Sequence, residues 1–222
     1  MFNDQPIFEF RGPWGVRVQI GSSLILLALI FVSFTGTARD ITYDLVFFGL
    51  VLGSIFLHEL GHAWGCLIQG VPVRRIMIYG GGGFCEHARS TSAHEDELIV
   101  AMGPIVNAVI WAVTSLALPF VTDPNMSWVL SSLAWINGVL LVLNLVPVMP
   151  LDGGRLFQLM LRRVMPGHVA MRVAGAVGLV LAVLWIPAMI GCYLVFGMML
   201  LFIPPIGLHW QMLTSRRAYR RY

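Results

Sequence analysis

Long apolar runs alternate with short polar segments along the chain, and this alternation predicts most of the fold. Apolar runs cover about residues 20–36, 44–69, 98–121, 127–148 and 169–208. The hydrocarbon layer of a bilayer is ~30 Å thick, so about 20 apolar residues in a helix cross it. Each of the first four runs predicts one transmembrane helix. The fifth is too long for a single crossing, since as one helix it measures roughly 60 Å at 1.5 Å per residue. Pro187 and Gly191 near its middle predict two short spans joined by a tight turn. The expectation is an all-α polytopic membrane protein of about six transmembrane helices, forming a single domain over residues 1–222.

Finer periodicities lie between the runs. Val16-Arg17-Val18-Gln19-Ile20 alternates, which fits a short strand or an irregular segment at the membrane edge. Residues 71–90 read VPVRRIMIYGGGGFCEHARS, two β-forming stretches around the run Gly80 to Gly83. Consecutive glycines permit positive φ, so this segment predicts a membrane-associated β-hairpin, with a plain flexible loop as the alternative. Ser92 and Glu95 form a candidate capping box, and Asp96 and Glu97 suit the positive end of a helix dipole. These acids need no catalytic role, and His87 and His94 beside them read as solvated. The fourth run ends in NLVPVMPLDGG at 144–154, a polar, unwound stretch tolerated at membrane depth only where protein or water surrounds it.

Composition agrees with the spans. The chain is 58% hydrophobic and 11% charged with a mean hydropathy of +0.81, against about 25% charged in a soluble domain. Every one of its fourteen basic residues is arginine. They flank the spans without aromatic interleaving, so they read as topology determinants and not as a nucleic-acid surface. In the six-span scheme Arg39 alone falls on the far face, which makes the arginine-rich face cytoplasmic. Residues 1–19 lack the cleavage site of a removable signal peptide and form a cytoplasmic N-terminal segment. Residues 209–222 form a basic cytoplasmic tail suited to anionic head groups. Three cysteines, Cys66, Cys85 and Cys192, imply no disulfide framework.

The candidate chemistry sits inside the second run, at His58-Glu59-Leu60-Gly61-His62. Ionisable groups in hydrocarbon cost several kcal/mol unless paired or bound to an ion. On a helix, residues four apart share a face, so His58 and His62 can grip one zinc ion, with Glu59 turned about 100° from His58 as acid/base. A catalytic zinc takes three protein ligands and keeps one position open. Of the eleven acidic residues, only Glu59 and Asp152 lie in or against a span without a helix-end or loop explanation. Asp152 is therefore the candidate third ligand. Gly103-Pro104-Ile105-Val106-Asn107 in the third run combines small residues, which allow close helix approach, with an asparagine that needs a partner when buried.

HELGH at 58–62, GPIVN at 103–107 and NLVPVMPLDGG at 144–154 together resemble the three signatures of the site-2 protease family of intramembrane zinc metalloproteases, over roughly residues 20–208. The resemblance implies a six-span fold, one Zn2+ per chain held by His58, His62 and Asp152, and Glu59 as the catalytic residue. It further implies that Asn144 helps hold substrate, and that the hairpin, through Gly82, Gly83 and Phe84, pairs with the substrate backbone. Implied substrates are single-span transmembrane proteins or signal-peptide remnants in a lipid bilayer, and the expected location is a prokaryotic inner membrane with both termini cytoplasmic. Many family members carry an added PDZ or cystathionine-synthase-type domain, for which 222 residues leave no room. A non-hydrolytic zinc-binding membrane protein, either a pseudoprotease or a transporter, is the alternative. Glu59 speaks against it, because a binding-only site needs ligands but no base.

Overall fold

The computed structural model describes residues 4–32, 36–196 and 202–215. They form two compact units, which divide at residues 141 and 142.

The first unit runs β1 (Pro6–Arg11), β2 (Arg17–Gly21), α1 (Ser23–Phe31), α2 (Ala38–Leu67), β3 (Val73–Tyr79), β4 (Gly82–His87), α3 (Ala93–Ala117) and the greater part of α4 (Pro124–Leu145). The alternating segment at 16–20 adopts the strand β2, and residues 71–90 adopt the hairpin β3–β4. Both join one sheet of order β1-β2-β3-β4. β2 pairs in parallel with β3, Val18 opposite Ile76, while β3 and β4 run antiparallel with Ile78 opposite Gly83. The period of two places Val16, Val18, Ile76 and Ile78 on the sheet face that packs against Leu24 and Leu27 of α1 and Leu60 and Ala63 of α2. The Ser92/Glu95 capping box opens α3, and a second one, Thr37/Asp40, opens α2.

The first apolar run departs from expectation. Its described helix, α1, has only 9 residues, about 13.5 Å of rise and too little to cross hydrocarbon. Ile20 and Gly21 are drawn into the sheet, Ile20 by pairing with β3 and Gly21 with β1, and residues 33–35 of the run lie outside the described residues. Because β2 neighbours β3, which follows the end of α2, α1 leaves the sheet beside the C-terminal part of α2, with Leu24 and Leu27 against Leu60 and Ala63.

Glycines bring α2 and α3 together. A Cβ on Gly61 would stand 2.6 Å from the Met102 carbonyl oxygen, and one on Gly65 3.0 Å from the Ile99 Cα. Gly61 and Gly65 are thus a small-xxx-small pair of the kind that lets membrane helices approach backbone to backbone.

The second unit holds the end of α4, an unwound turn at 146–151, α5 (Asp152–Val164), α6 (Gly167–Phe196) and α7 (Ile206–Thr214). The last apolar block was expected to turn near Pro187 and Gly191, but α6 runs unbroken through both. Proline and glycine are tolerated inside membrane helices because neighbours and local adjustment satisfy the freed backbone groups. The block does reverse, further along. Trp185 Nε1 donates to the Phe202 carbonyl at 2.8 Å and Arg172 Nε to the Leu213 carbonyl at 3.1 Å, so the chain returns antiparallel along α6. Among the described residues, four helices are long and apolar enough to cross a membrane: Ala38–Leu67, Ala93–Phe120, Pro124–Leu145 and Gly167–Val195. The arginines at 216–221 of the expected basic tail lie outside the described residues.

Candidate metal centre

α2 carries the H-E-x-x-H motif on its most buried turn, where His58, Glu59, Leu60, Gly61 and His62 are all enclosed. The 3.6-residue period stacks the two imidazoles on one face, with Nε2 of His58 3.0 Å from Nε2 of His62. Gly103 of α3 makes room for both rings. A Cβ there would lie 2.7 Å from His58 Cε1 and closer still to His62.

The ring protons can be placed from the outer contacts. His62 Nδ1 lies 2.8 Å from the Ile99 carbonyl oxygen, and a carbonyl can only accept, so Nδ1 carries the proton. His58 Nδ1 lies 2.5 Å from Asn107 Oδ1, again an acceptor. With both rings neutral, each Nε2 is left with a lone pair, and the two lone pairs face each other. That pairing is repulsive unless a proton or a metal ion lies between them. Two nitrogens ~2.0–2.1 Å from a tetrahedral zinc stand about 3.3 Å apart, close to the 3.0 Å found. The histidine pair fits zinc.

Glu59 projects from the adjacent face of α2 toward β4. A Cβ on Gly83 would meet Glu59 Cγ at 2.6 Å and Oε1 at 2.7 Å, so only glycine lets the strand pass this close to the carboxylate. Gly82 before it has φ of +125°, a conformation that L side chains rarely adopt. Phe84 is partly exposed, 5.6 Å beneath the Arg75 guanidinium. Arg75 and Arg74 also bond Glu86 at 2.7 and 2.9 Å, and with Arg75 nearest they hold its carboxyl below the usual carboxylate range.

The structure thus brings His58, His62, Glu59, Gly83 and Gly103 together in the first unit. Asn144 and Asp152 belong to the second. Asn144 sits in the last turn of α4, and half-buried Asp152 is the first residue of α5. Two glycines fix that start: a Cβ on Gly153 would reach the Val146 carbonyl oxygen at 2.5 Å, and one on Gly154 the Val148 carbonyl carbon at 2.5 Å. Buried His209 of α7 anchors the turn from behind, with Nε2 3.3 Å from the Met149 carbonyl oxygen. Sequence reasoning missed His209, Asn137 and the Gly61/Gly65 pair. The glycine spacing is legible in the sequence, whereas the other two depend on helix contacts that no local pattern encodes.

Known proteins resemble this chain in sequence and in fold. A chain of the site-2 protease from Methanocaldococcus jannaschii has the same fold, with a TM-score of 0.62 at 21% identity, covering 97% of this chain and 99% of that one. A zinc metalloprotease of the same organism is 27% identical over 151 residues, 67% of this chain and 44% of its own length. A protein of Synechocystis sp., named provisionally as a zinc metalloprotease, is 29% identical over 177 residues, 75% of this chain and 43% of its own. The chain spans less than half the length of these two relatives. The sequence model of peptidase family M50 matches residues 46–123 and 120–186, well over half of the chain and all of the histidine site. By that match the chain belongs to peptidase family M50, the site-2 protease family of zinc metalloproteases.

Proposed function

We propose that the protein is a zinc-dependent intramembrane endopeptidase that cuts single-span membrane proteins or signal-peptide remnants within or near their transmembrane segments. The observation that carries this reading is the buried pair of Nε2 atoms 3.0 Å apart, with Glu59 beside them against the sheet. His58 and His62 supply two ligands, and Asp152 supplies the third. Supporting Asp152 are its carboxylate chemistry, its fixed place at the head of α5, and the LDGG motif that holds it there. The stoichiometry is one zinc per chain.

Bound zinc supplies Lewis acidity toward the scissile carbonyl and makes a water acidic near neutral pH. The Glu59 carboxylate accepts the attacking water's proton and hands it to the leaving amine nitrogen. A substrate helix hides its peptide bonds in its own hydrogen bonds, and unwinding it in lipid strips those groups of partners. β4 offsets this cost. It is an edge strand of the sheet, so an extended substrate segment adds along it by strand pairing. The absence of side chains at Gly82 and Gly83 lets that segment run close to Glu59, with Phe84 and Asn144 as further substrate contacts.

Six crossings fit the chain path, with both termini on the cytoplasmic face of a prokaryotic inner membrane. The first is supported by the start of α1 beside the C-terminal part of α2, the last by the antiparallel course of Phe202 to Leu213 along α6. The decisive experiment assays a tagged single-span substrate with detergent-purified wild type and Glu59→Gln while measuring zinc per chain. Equal zinc with cleavage lowered about 10²- to 10⁴-fold is expected. Equal cleavage by both proteins refutes the role of Glu59, and wild type without zinc refutes the metalloenzyme.

A further inference from the structure

Behind His58 lies a chain of buried polar side chains from three helices. Asn107 of α3 and Asn137 of α4 are both fully buried, as is Ser54 of α2 one turn before His58. Asn107 Nδ2 donates to Asn137 Oδ1 at 2.8 Å. Asn137 Nδ2 donates to the Leu133 carbonyl at 2.9 Å and to Ser54 Oγ at 3.0 Å.

The direction of every bond in this chain follows from its last member. The Leu133 carbonyl can only accept, so Asn137 must turn its NH2 toward it and its oxygen toward Asn107. Asn107 must then present its own NH2 to Asn137, which leaves Oδ1 as the atom facing His58. An oxygen there accepts, so His58 is compelled to carry its proton on Nδ1 and to keep the lone pair on Nε2. A backbone carbonyl two helices away thereby sets which ring nitrogen keeps its lone pair.

Buried amides among apolar helices are costly unless fully partnered, and replacing such a pair with apolar side chains of similar volume is often neutral or stabilising. Stability alone therefore gives little reason for two of them here. We propose that Asn137 and Asn107 are positioning residues: a polarity relay that locks the His58 tautomer so that Nε2 is available to the metal before the metal arrives. His62 needs no relay, because its Nδ1 faces a backbone carbonyl directly. The proposal rests on the zinc reading of the histidine pair, but the tautomer itself can be read without metal.

Three variants test it: Asn137→Leu, Asn107→Leu and Asn107→Asp. The first two release the lock. The third keeps it, because a carboxylate can only accept from Nδ1. Nitrogen-15 spectra of histidine-labelled, EDTA-treated protein report the His58 tautomer, and competition with a chromophoric chelator reports zinc affinity. Expected are a single Nδ1-protonated form in wild type and Asn107→Asp, mixed tautomers in both leucine variants, and zinc affinity lowered about 10- to 100-fold in the leucine variants only. Melting of the EDTA-treated leucine variants should be unchanged or raised. Unmixed tautomers in Asn137→Leu, or lower melting with zinc affinity intact, overturn the relay. Zinc uptake by no protein, wild type included, overturns the zinc reading with it, whatever the tautomers show.

Discussion

Replacing Gly103 by alanine separates packing from metal binding. The added Cβ lands 2.7 Å from His58 Cε1, whereas a relaxed carbon contact needs about 3.5 Å, so the imidazoles or α3 must give by ~0.8 Å. Overpacking of this kind costs about 1–3 kcal/mol. Alanine recovers about 1 kcal/mol of helix propensity relative to glycine, which leaves the metal-free protein about 0–2 kcal/mol less stable. Zinc is less forgiving, since ligand distances are held to about ±0.2 Å, a quarter of the displacement. Folding should therefore survive while zinc affinity falls at least about tenfold, the usual scale for disturbing a site's support. The assay is zinc per chain after dialysis against buffered zinc, alongside thermal unfolding in detergent with EDTA. Gly49→Ala on α2 is the control, because no atom lies within 4 Å of a Cβ there. Gly103→Ala protein that melts normally and takes up zinc as tightly as wild type refutes the reasoning.

Gly83→Ala drives a methyl group against Glu59 Oε1, so substrate cleavage should fall while zinc content holds; a parallel loss of zinc would show that the strand supports the histidines and not the base. Asp152→Asn should lower zinc affinity at least about tenfold, as measured by chelator competition, and unchanged affinity removes Asp152 from the ligand set. Glu86 gives a pH dependence. Its carboxyl is held below the usual range by Arg75, with Arg74 beside it, so the folded protein keeps the anion to lower pH than the unfolded chain. The stabilisation is full above the unfolded value of about 4.3 and drains away as pH falls through the folded value. Glu86→Gln should flatten that acid limb in melting experiments, and an unaltered limb means the arginine pair does not contribute.

Much of this architecture is written in local pattern. The helices α2, α3 and α4 overlap their apolar runs, starting up to six residues early where a polar first turn precedes the run. Ser92 and Glu95 make the capping box their spacing predicts, and the alternation at 16–20 is a strand. Errors arise where a residue's fate depends on a distant neighbour. Ile20 and Gly21 look like the start of a membrane helix until strand pairing claims them, Ile20 with β3 and Gly21 with β1. Pro187 looks like a turn, yet α6 carries it without a break. In the site, the histidines and Glu59 follow from spacing, as does the need of Asn107 for a partner. That the partner is Asn137, and that it sets the polarity of a whole chain of amides, depends on how α3 meets α4.

The parallel pairing of β2 with β3 also has a bearing on biogenesis. Its two strands lie on either side of α1 and α2 in the chain, so ribosomal order delivers β2 first and withholds its mate until both intervening helices have been made. Until then the nascent chain holds a strand with one bare edge. Closure of that sheet sets Gly83 against Glu59, and so the Glu59 carboxylate gains its final surroundings only after the first two helices have been made.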